Sequence, residues 1–314
     1  MQNAYLAVEI GGTKLQLILG DERGTIIRRQ RLPVQPERGG GGIREQIQAA
    51  LPALLENVRL TGVGVGFGGP VDWRTGKIAR SHQIEGWSEF DLAAWLSPLV
   101  SAPVVVDNDA NVAALGESKR GAGVGYDPVF YVTLGSGVGG GLVTQGAIYH
   151  GATPGEAEIG HIRLDRTGTT VESRCSGWAV DARIRELKAT APRSILALAS
   201  GNECGGEAKH LAAALKADDR EAKQILHELA EDLALGLSHV IHLFHPQVLI
   251  IGGGLSGIGE PLRMSVETVL QRLVMKVFLP GLRVVLGSLG ADAVPAGALE
   301  MAREEVKSGR CCPS

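Results

Sequence analysis

Apolar residues gather in short runs from the start of the chain. Leu6 to Ile10 is one such run, Gly11-Gly12-Thr13-Lys14 interrupts it, and Leu15 to Leu19 is a second. The pattern predicts two strands joined by a glycine turn. Asp21 to Gly24 turns the chain into a third strand, Ile26 to Leu32. The tract Arg38 to Gly42 breaks the pattern. Ile43, Ile47, Ala50, Leu51, Leu54, Leu55 and Val58 then recur at the spacing of one helix face, with Pro52 expected to bend that helix. A strand at Gly62 to Phe67 runs into Gly-Gly-Pro-Val-Asp. After a polar connection, Val104 to Val106 is another short strand, ending at Asp107-Asn108-Asp109 before a helix from Ala110 to Lys119. Three strands followed by an alternation of helix and strand describe a mixed α/β lobe.

The second half repeats that opening: Val129 to Leu134, the turn Gly135-Ser136-Gly137, and Val138 to Val143 as the returning strand. Helices follow near Ala179 to Leu187 and Glu221 to Phe244, then a strand Val248 to Ile251, a glycine loop, a helix from Pro261 and a last helix from Val294 to Val306. The glycine- and proline-containing joint Gly121 to Pro128 marks the expected boundary, giving lobes of residues 1–120 and 121–293. A length of 314 residues accommodates two domains that each bury a core.

Composition sharpens this picture. Only 4% of residues are aromatic against 44% hydrophobic, so the cores are aliphatic. The 44 glycines are about twice the average share and fall beside apolar runs, where turns can approach a ligand closely. A net charge of −3, with Lys and Arg scattered, excludes the basic footprint of a nucleic-acid binder. Cys175, Cys204, Cys311 and Cys312 show neither disulfide-framework nor zinc-ribbon spacing. The start lacks a basic segment followed by a long apolar one, and no apolar run is long enough to cross a bilayer. A soluble, cytoplasmic protein with no membrane partner is expected.

Five segments carry candidate chemistry. In Val8 to Lys14, a strand ends in two glycines, a hydroxyl and an ammonium, which suits phosphate oxygens; a tight surface turn with a solvated lysine is the alternative. It is no Walker loop, since the spacing is wrong and a hairpin follows. Thr133 to Gly141 repeats the geometry, and two glycine turns facing one another would hold a nucleotide's phosphates. In Val248 to Gly257 a strand ends in three glycines. A dinucleotide site would require an acid about 20 residues on, and none stands at a strand end there. Val106 to Asn111 crowds carboxylates and amides at a strand-to-helix junction. One of them caps the helix, and another can take a proton from an alcohol attacking a γ-phosphate. Finally, Glu158 and His161 stand three apart and suit sugar hydroxyls, with a solvated Glu and a structural His as the alternative.

Taken in order, VEIGGTK, GGPVD, VDNDAN, TLGSGVGGG, GEAEIGH and IIGGG resemble the ROK family of sugar kinases and sugar-responsive repressors over nearly the whole length. The resemblance implies an α/β, actin-like (ribonuclease H-like) ATPase fold with a nucleotide and sugar cleft between two lobes. It also implies that the last helix, about 294–314, packs back on the first lobe, and that the protein is a homodimer or homotetramer. It implies Asp109 as catalytic base and Gly69, Asn108, Asp109, Glu158 and His161 around the sugar. Gly11, Gly12, Thr13, Lys14, Gly135, Ser136 and Gly137 would hold the phosphates of ATP, with Gly253 and Gly254 beside its adenosine. Mg2+ would lie near Glu9, directly or through water, where the family usually has Asp. The family's zinc cysteines are missing: the segment after His161 supplies only Cys175, so no structural zinc is expected, and the carboxylate that follows the cluster and touches the sugar has no clear counterpart. Gln83 replaces the Asn expected before Gly86-Trp87. The implied reaction is phosphorylation of a hexose, glucose first, with N-acetylmannosamine or fructose as variants. A non-catalytic sugar sensor is disfavoured because the first strand begins by about residue 4, leaving no room for a DNA-binding helix-turn-helix, and because Asp109 is present.

Overall fold

A computed structural model describes residues 2–79, 84–153, 155 and 157–308. The chain divides into two compact units, one of residues 1–124, 141–157 and 291–314 and the other of residues 125–140 and 158–290. Among the described residues no helix is long and apolar enough to cross a membrane.

In the first unit, β1 (Gln2–Ile10), β2 (Lys14–Gly20) and β3 (Ile26–Pro33) are followed by α1 (Gly39–Leu54) and β4 (Val58–Phe67). The short strands β5 (Val71–Asp72), β6 (Lys77–Ile78) and β7 (Phe90–Asp91) form a small sheet of their own. Then come α2 (Leu92–Val100), β8 (Val104–Asn108) and α3 (Asp109–Arg120). The main sheet has the order β3-β2-β1-β4-β8, with β1 antiparallel to β2 and parallel to β4. Asp21 closes the β2–β3 turn by accepting from Arg23 and Thr25 N–H, both at 2.8 Å; the Thr25 bond leads in holding its carboxyl below the usual range.

Strand alternation assigns the two faces of this sheet. Leu6, Val8, Ile10, Leu15, Leu17, Val63, Val65, Phe67 and Val106 pack with Ile43, Ile47, Leu51 and Leu54 of α1 and with Leu92 and Leu96 of α2. Tyr5, Ala7 and Ile18 face α3 and the last helix through Val112, Ala298, Leu299 and Ala302. Burial of each large aliphatic side chain contributes roughly 1.5–3 kcal/mol, so this two-sided core outweighs local propensities.

Two expectations are corrected here. The glycine tract does not break the helix: Gly39 to Gly42 are its first turn. Gly40 donates to Glu85 O at 2.7 Å, and a Cβ on it would stand 3.0 Å from Gly86 O and the Trp87 ring, so a tertiary contact favours glycine where propensity opposes it. Val58 lies on β4, beyond the end of α1.

The second unit holds β9 (Val129–Leu134) and the start of β10 (Val138–Thr144), which passes into the first unit and on to β11 (Ala147–Ile148). Next come α4 (Val171–Cys175), α5 (Gly177–Thr190), α6 (Ile195–Ser200), α7 (Leu211–Lys216) and α8 (Arg220–Phe244). The unit closes with β12 (Val248–Gly252), α9 (Glu260–Leu273) and β13 (Arg283–Leu286), before α10 (Ala293–Ser308) returns to the first unit. The second sheet has the order β11-β10-β9-β12-β13, with β12 parallel to both β9 and β13.

Strand β4 alternates Gly62, Gly64 and Gly66 with Val63, Val65 and Phe67. The glycine side lies directly beneath α10: a Cβ on Gly64 would stand 1.9 Å from Ala298 O, and one on Gly66 2.5 Å from Val294. Backbone cannot yield as a side chain does. Gly64→Ala is therefore expected to destabilise the protein by about 3 kcal/mol, at the upper end of overpacking effects, whereas Gly281→Ala, with open space around it, stays near neutral. Urea denaturation of both variants checks this.

Candidate functional site

In the first unit the ends of β1, β4 and β8 converge. Gly11 N–H donates to Lys14 O at 2.8 Å to close the first glycine turn, and Gly68 N–H donates to Ile10 O at 2.8 Å. The cap expected at VDNDAN is Asn108: its Oδ1 accepts from Ala110 N–H at 2.9 Å and Asn111 N–H at 3.3 Å, while its Nδ2 donates to Gly69 O at 3.2 Å. That bonding leaves Asp109 as the first residue of α3, half-buried, with its carboxylate turned to Gly68. A Cβ on Gly68 would stand 3.4 Å from Asp109 Oδ2, from Gly11 Cα and from Ile10 O alike. Gly11, Gly69, Asn108 and Asp109 are thus brought together, with Gly68 a member that sequence reading passed over.

Lys14, expected to face phosphate, pairs with Glu9 at 3.0 Å and donates to Ala291 O at 3.2 Å. Buried Gln16 also donates to Glu9. Glu9 therefore stands beside the turn of Gly11, Gly12 and exposed Thr13 with two donors already on its carboxylate. Mg2+ on a nucleotide takes one or two carboxylates and keeps waters and phosphate oxygens for the rest, so Glu9 fits as a single, water-bridged contributor. No group of three or more His, Cys, Asp or Glu among the described residues forms a cage for a metal.

In the second unit, Gly135 N–H donates to Gly137 O at 3.0 Å, and Gly135 O accepts from Gly177 N–H at 2.7 Å, which ties the second glycine turn of Gly135, Ser136 and Gly137 to the start of α5. Gly253 has φ +78°, and a Cβ there would be 2.5 Å from Leu134 N, so the turn with Gly254 fits against the end of β9. A 3-10 turn, Gly254–Ile258, then separates the glycines from α9. Glu158 holds the N-cap position of the 3-10 turn Ile159–His161 and His161 ends it; positions three apart eclipse there, and Glu158 Oε2 lies 3.9 Å from His161 Nε2.

The segment after His161 is organised without cysteine ligands. Asp165 accepts from Thr167 N–H at 2.8 Å and its Oγ1 at 2.7 Å, from Gly168 N–H at 2.9 Å and from Thr169 N–H at 3.1 Å. The Thr169 and Thr167 hydroxyls lead in holding its carboxyl far below the usual range. Val171 N–H donates to Ile162 O at 3.0 Å, so this turn joins His161 to α4. Cys175 is fully buried, and burial pushes its thiol up, which does not suit a thiolate metal ligand; a zinc site does not fit these donors.

Glu172 is a carboxylate of this segment that the sequence reading does not single out. Its Oε2 accepts from Val138 N–H at 2.9 Å, a Cβ on Gly137 would be 2.4 Å from it, and its own Cβ lies beside Gly160. The signal was the capping box of Thr170 and Ser173, which starts a helix at Val171 and places Glu172 in its first turn. Gln83 lies outside the described residues.

A β-sheet unit opened by a glycine hairpin, with an acid at a strand-to-helix junction, is the architecture of actin-like ATPases, and the chain has that fold. The model of the ROK family matches residues 5–305. The chain belongs to the ROK family. It is 30% identical to the glucokinase of Halalkalibacterium halodurans, over 97% of this chain and 96% of that one. The crystal structure of a ROK family glucokinase from Streptomyces griseus, in complex with glucose and AMPPNP, superposes with a TM-score of 0.84 at 32% identity, covering 96% and 99% of the two chains. A ROK transcriptional regulator homologous to the E. coli MLC protein superposes with a TM-score of 0.87 at 20% identity, over 98% of this chain and 80% of that one, and shares the fold.

The Asp165 turn yields a prediction with a definite sign. Its carboxyl is depressed in the folded state, so its contribution is complete above the ordinary value of 3.8 and fades only as pH falls through the lower folded value. Hydrogen exchange at the Thr167, Gly168 and Thr169 amides, corrected for intrinsic rates, is expected to show the same protection at pH 7 and pH 5. Asp165→Ala is expected to accelerate it severalfold at both.

Proposed function

We propose that this sugar kinase transfers the γ-phosphoryl group of ATP to a hexose hydroxyl, first of all that of glucose to give glucose 6-phosphate, with Asp109 as general base. The observation that carries the reading is the convergence at Gly68. Asp109 Oδ2 and the Gly11 turn both lie against Gly68, which has no side chain to hold them apart, so a carboxylate stands beside a turn suited to phosphate. As the sugar oxygen bonds to the γ-phosphorus, its proton passes to an Asp109 oxygen, and the bond from that phosphorus to the β,γ-bridging oxygen breaks with its electron pair leaving on ADP.

The remaining assignments follow from donor and acceptor chemistry. Gly11 and Gly135 use their own N–H groups to close the two turns, and the other backbone N–H groups of Gly11 to Lys14 and Gly135 to Gly137 donate to phosphate oxygens, with Gly253 and Gly254 beside the adenosine. Mg2+ would be held at Glu9 and would supply charge neutralisation to the phosphates. Glu158 accepts from sugar hydroxyls and His161 can donate or accept, with Asn108 and Gly69 on the side of Asp109. Glu172, whose carboxylate lies beside the Gly135 turn, joins them as a further acceptor. N-acetylmannosamine and fructose are the alternative acceptors.

A sugar-sensing regulator without catalysis is the second reading, supported by the shared fold of the MLC homologue. The presence of Asp109 beside the glycine turn favours the kinase. Coupled measurement of ADP release across glucose, mannose, fructose, N-acetylglucosamine and N-acetylmannosamine tests both. Sugar-dependent turnover is expected, largest with glucose, and Asp109→Asn is expected to lower it by roughly 10²–10⁴-fold. Binding of a sugar without turnover on any acceptor overturns the kinase reading in favour of the sensor.

A further inference from the structure

Asp107 stands two residues before Asp109 and is buried, with a side chain 6% exposed. Each of its oxygens is engaged. Oδ1 accepts from Asn108 N–H at 2.7 Å and from Asn111 Nδ2 at 3.1 Å, and Oδ2 is 2.5 Å from His150 Nε2. Asn111 also donates to Gly155 O at 2.8 Å, and Gly155 lies so close to His150 that a Cβ on it would be 2.3 Å from the His150 carbonyl oxygen. The His150 ring is stacked on Trp73, with centroids 4.1 Å apart and planes 13° apart, and the Arg74 guanidinium lies 5.4 Å from the Trp73 ring centroid. All these residues belong to the first unit. None of the roles assigned above uses His150 or Trp73.

We propose that His150 is a positioning residue for phosphoryl transfer, acting through Asp107 to set the strand-to-helix turn that presents Asn108 and Asp109. The proposal rests on the assignment of Asp109 as the base.

The physical chain is short. The Asp107 carboxylate receives the Asn108 N–H, so its rotation about the Cβ–Cγ bond sets the peptide plane that precedes Asn108. Asn108 then fixes the first turn of α3 through Oδ1 and the Gly69 carbonyl through Nδ2. A buried carboxylate without its full set of donors rotates or draws in other partners. Among the described residues His150 supplies the donor to Oδ2, and the Trp73 face fixes the ring plane from which that donor projects. Nε2 carries a hydrogen in both the tautomer that this bond requires and the imidazolium, so the role persists in either state. Displacement of the base by about 1 Å is enough to slow a phosphoryl transfer roughly 100-fold without removing any group that touches substrate.

The test is steady-state kinetics on four variants and a double variant. His150→Phe keeps a ring on Trp73 and removes the donor. It is expected to lower kcat by about 10- to 100-fold with KM for ATP unchanged. His150→Gln, which retains an N–H donor of similar reach, is expected to recover most of that loss. In an Asp107→Asn background, His150→Phe is expected to cause no further loss, because the donor has nothing left to orient. Should His150→Phe fail to fold, His150→Asn, whose amide is too short to reach Asp107, is compared with His150→Gln in its place. Wild-type kcat in His150→Phe, or losses that multiply in the double variant, overturn the proposal. Asp109→Asn is measured alongside. Retained turnover there removes the base assignment, while the double-variant comparison still decides whether His150 works through Asp107.

Discussion

Close approach of backbone to backbone is the constraint on which the first unit depends. Helix α10 lies against β4 at Gly64 and Gly66 and against α3 at Gly116 and Gly297, where added Cβ atoms would stand 1.8 to 2.5 Å from backbone or side-chain atoms. At such separations packing is governed by carbonyls and Cα atoms, which have no rotamers to exchange. The consequence reaches the chemistry. Asp109 opens α3, and α3 is clamped between the sheet and α10, so the carboxylate proposed as the base is carried by a tightly packed element.

The second unit solves a different problem, the rigidity of a glycine turn that has no side chains to pack. Its turn is held from outside: by Glu172 on Val138, by the start of α5 on Gly135, and by the turn at Gly253 against Leu134. Glu158, His161 and Glu172 are brought onto one short stretch of structure because the hairpin around Asp165 closes the chain between them. Hydrogen bonds to a single carboxylate thereby organise a segment in which cysteine ligands are lacking. Charge also organises the first turn, where Glu9, Lys14 and Gln16 form one linked set rather than three independent groups.

Much of this was legible in the chain. The paired glycine hairpins, the long amphipathic α8 and the buried strand β12 carry periodicity or apolar runs too strong to misassign. The glycine tract at Gly39 to Gly42 misled because propensity is a property of isolated helices, and the contact with Trp87 overrides it. Strand β13 was missed since four residues, two of them half-exposed, give no alternation to detect; its partner β12 makes it a strand. Glu172 lies in a segment without the family's cysteines, and the local signal for it is the pair of capping residues Thr170 and Ser173. The bond between Asp107 and His150 joins positions 43 residues apart and leaves no trace in local pattern.

By itself the sequence determined the α/β class, the two glycine hairpins and the acid-rich junction, since these rest on apolar periodicity and backbone chemistry acting over a few residues. Only the tertiary structure decided which member of Asp107-Asn108-Asp109 caps the helix, which is locked in a buried network and which faces the glycine turn. Three neighbouring residues of nearly equal local preference are separated there by distant partners, Gly69, His150 and Gly68, and contacts of that range are settled by packing.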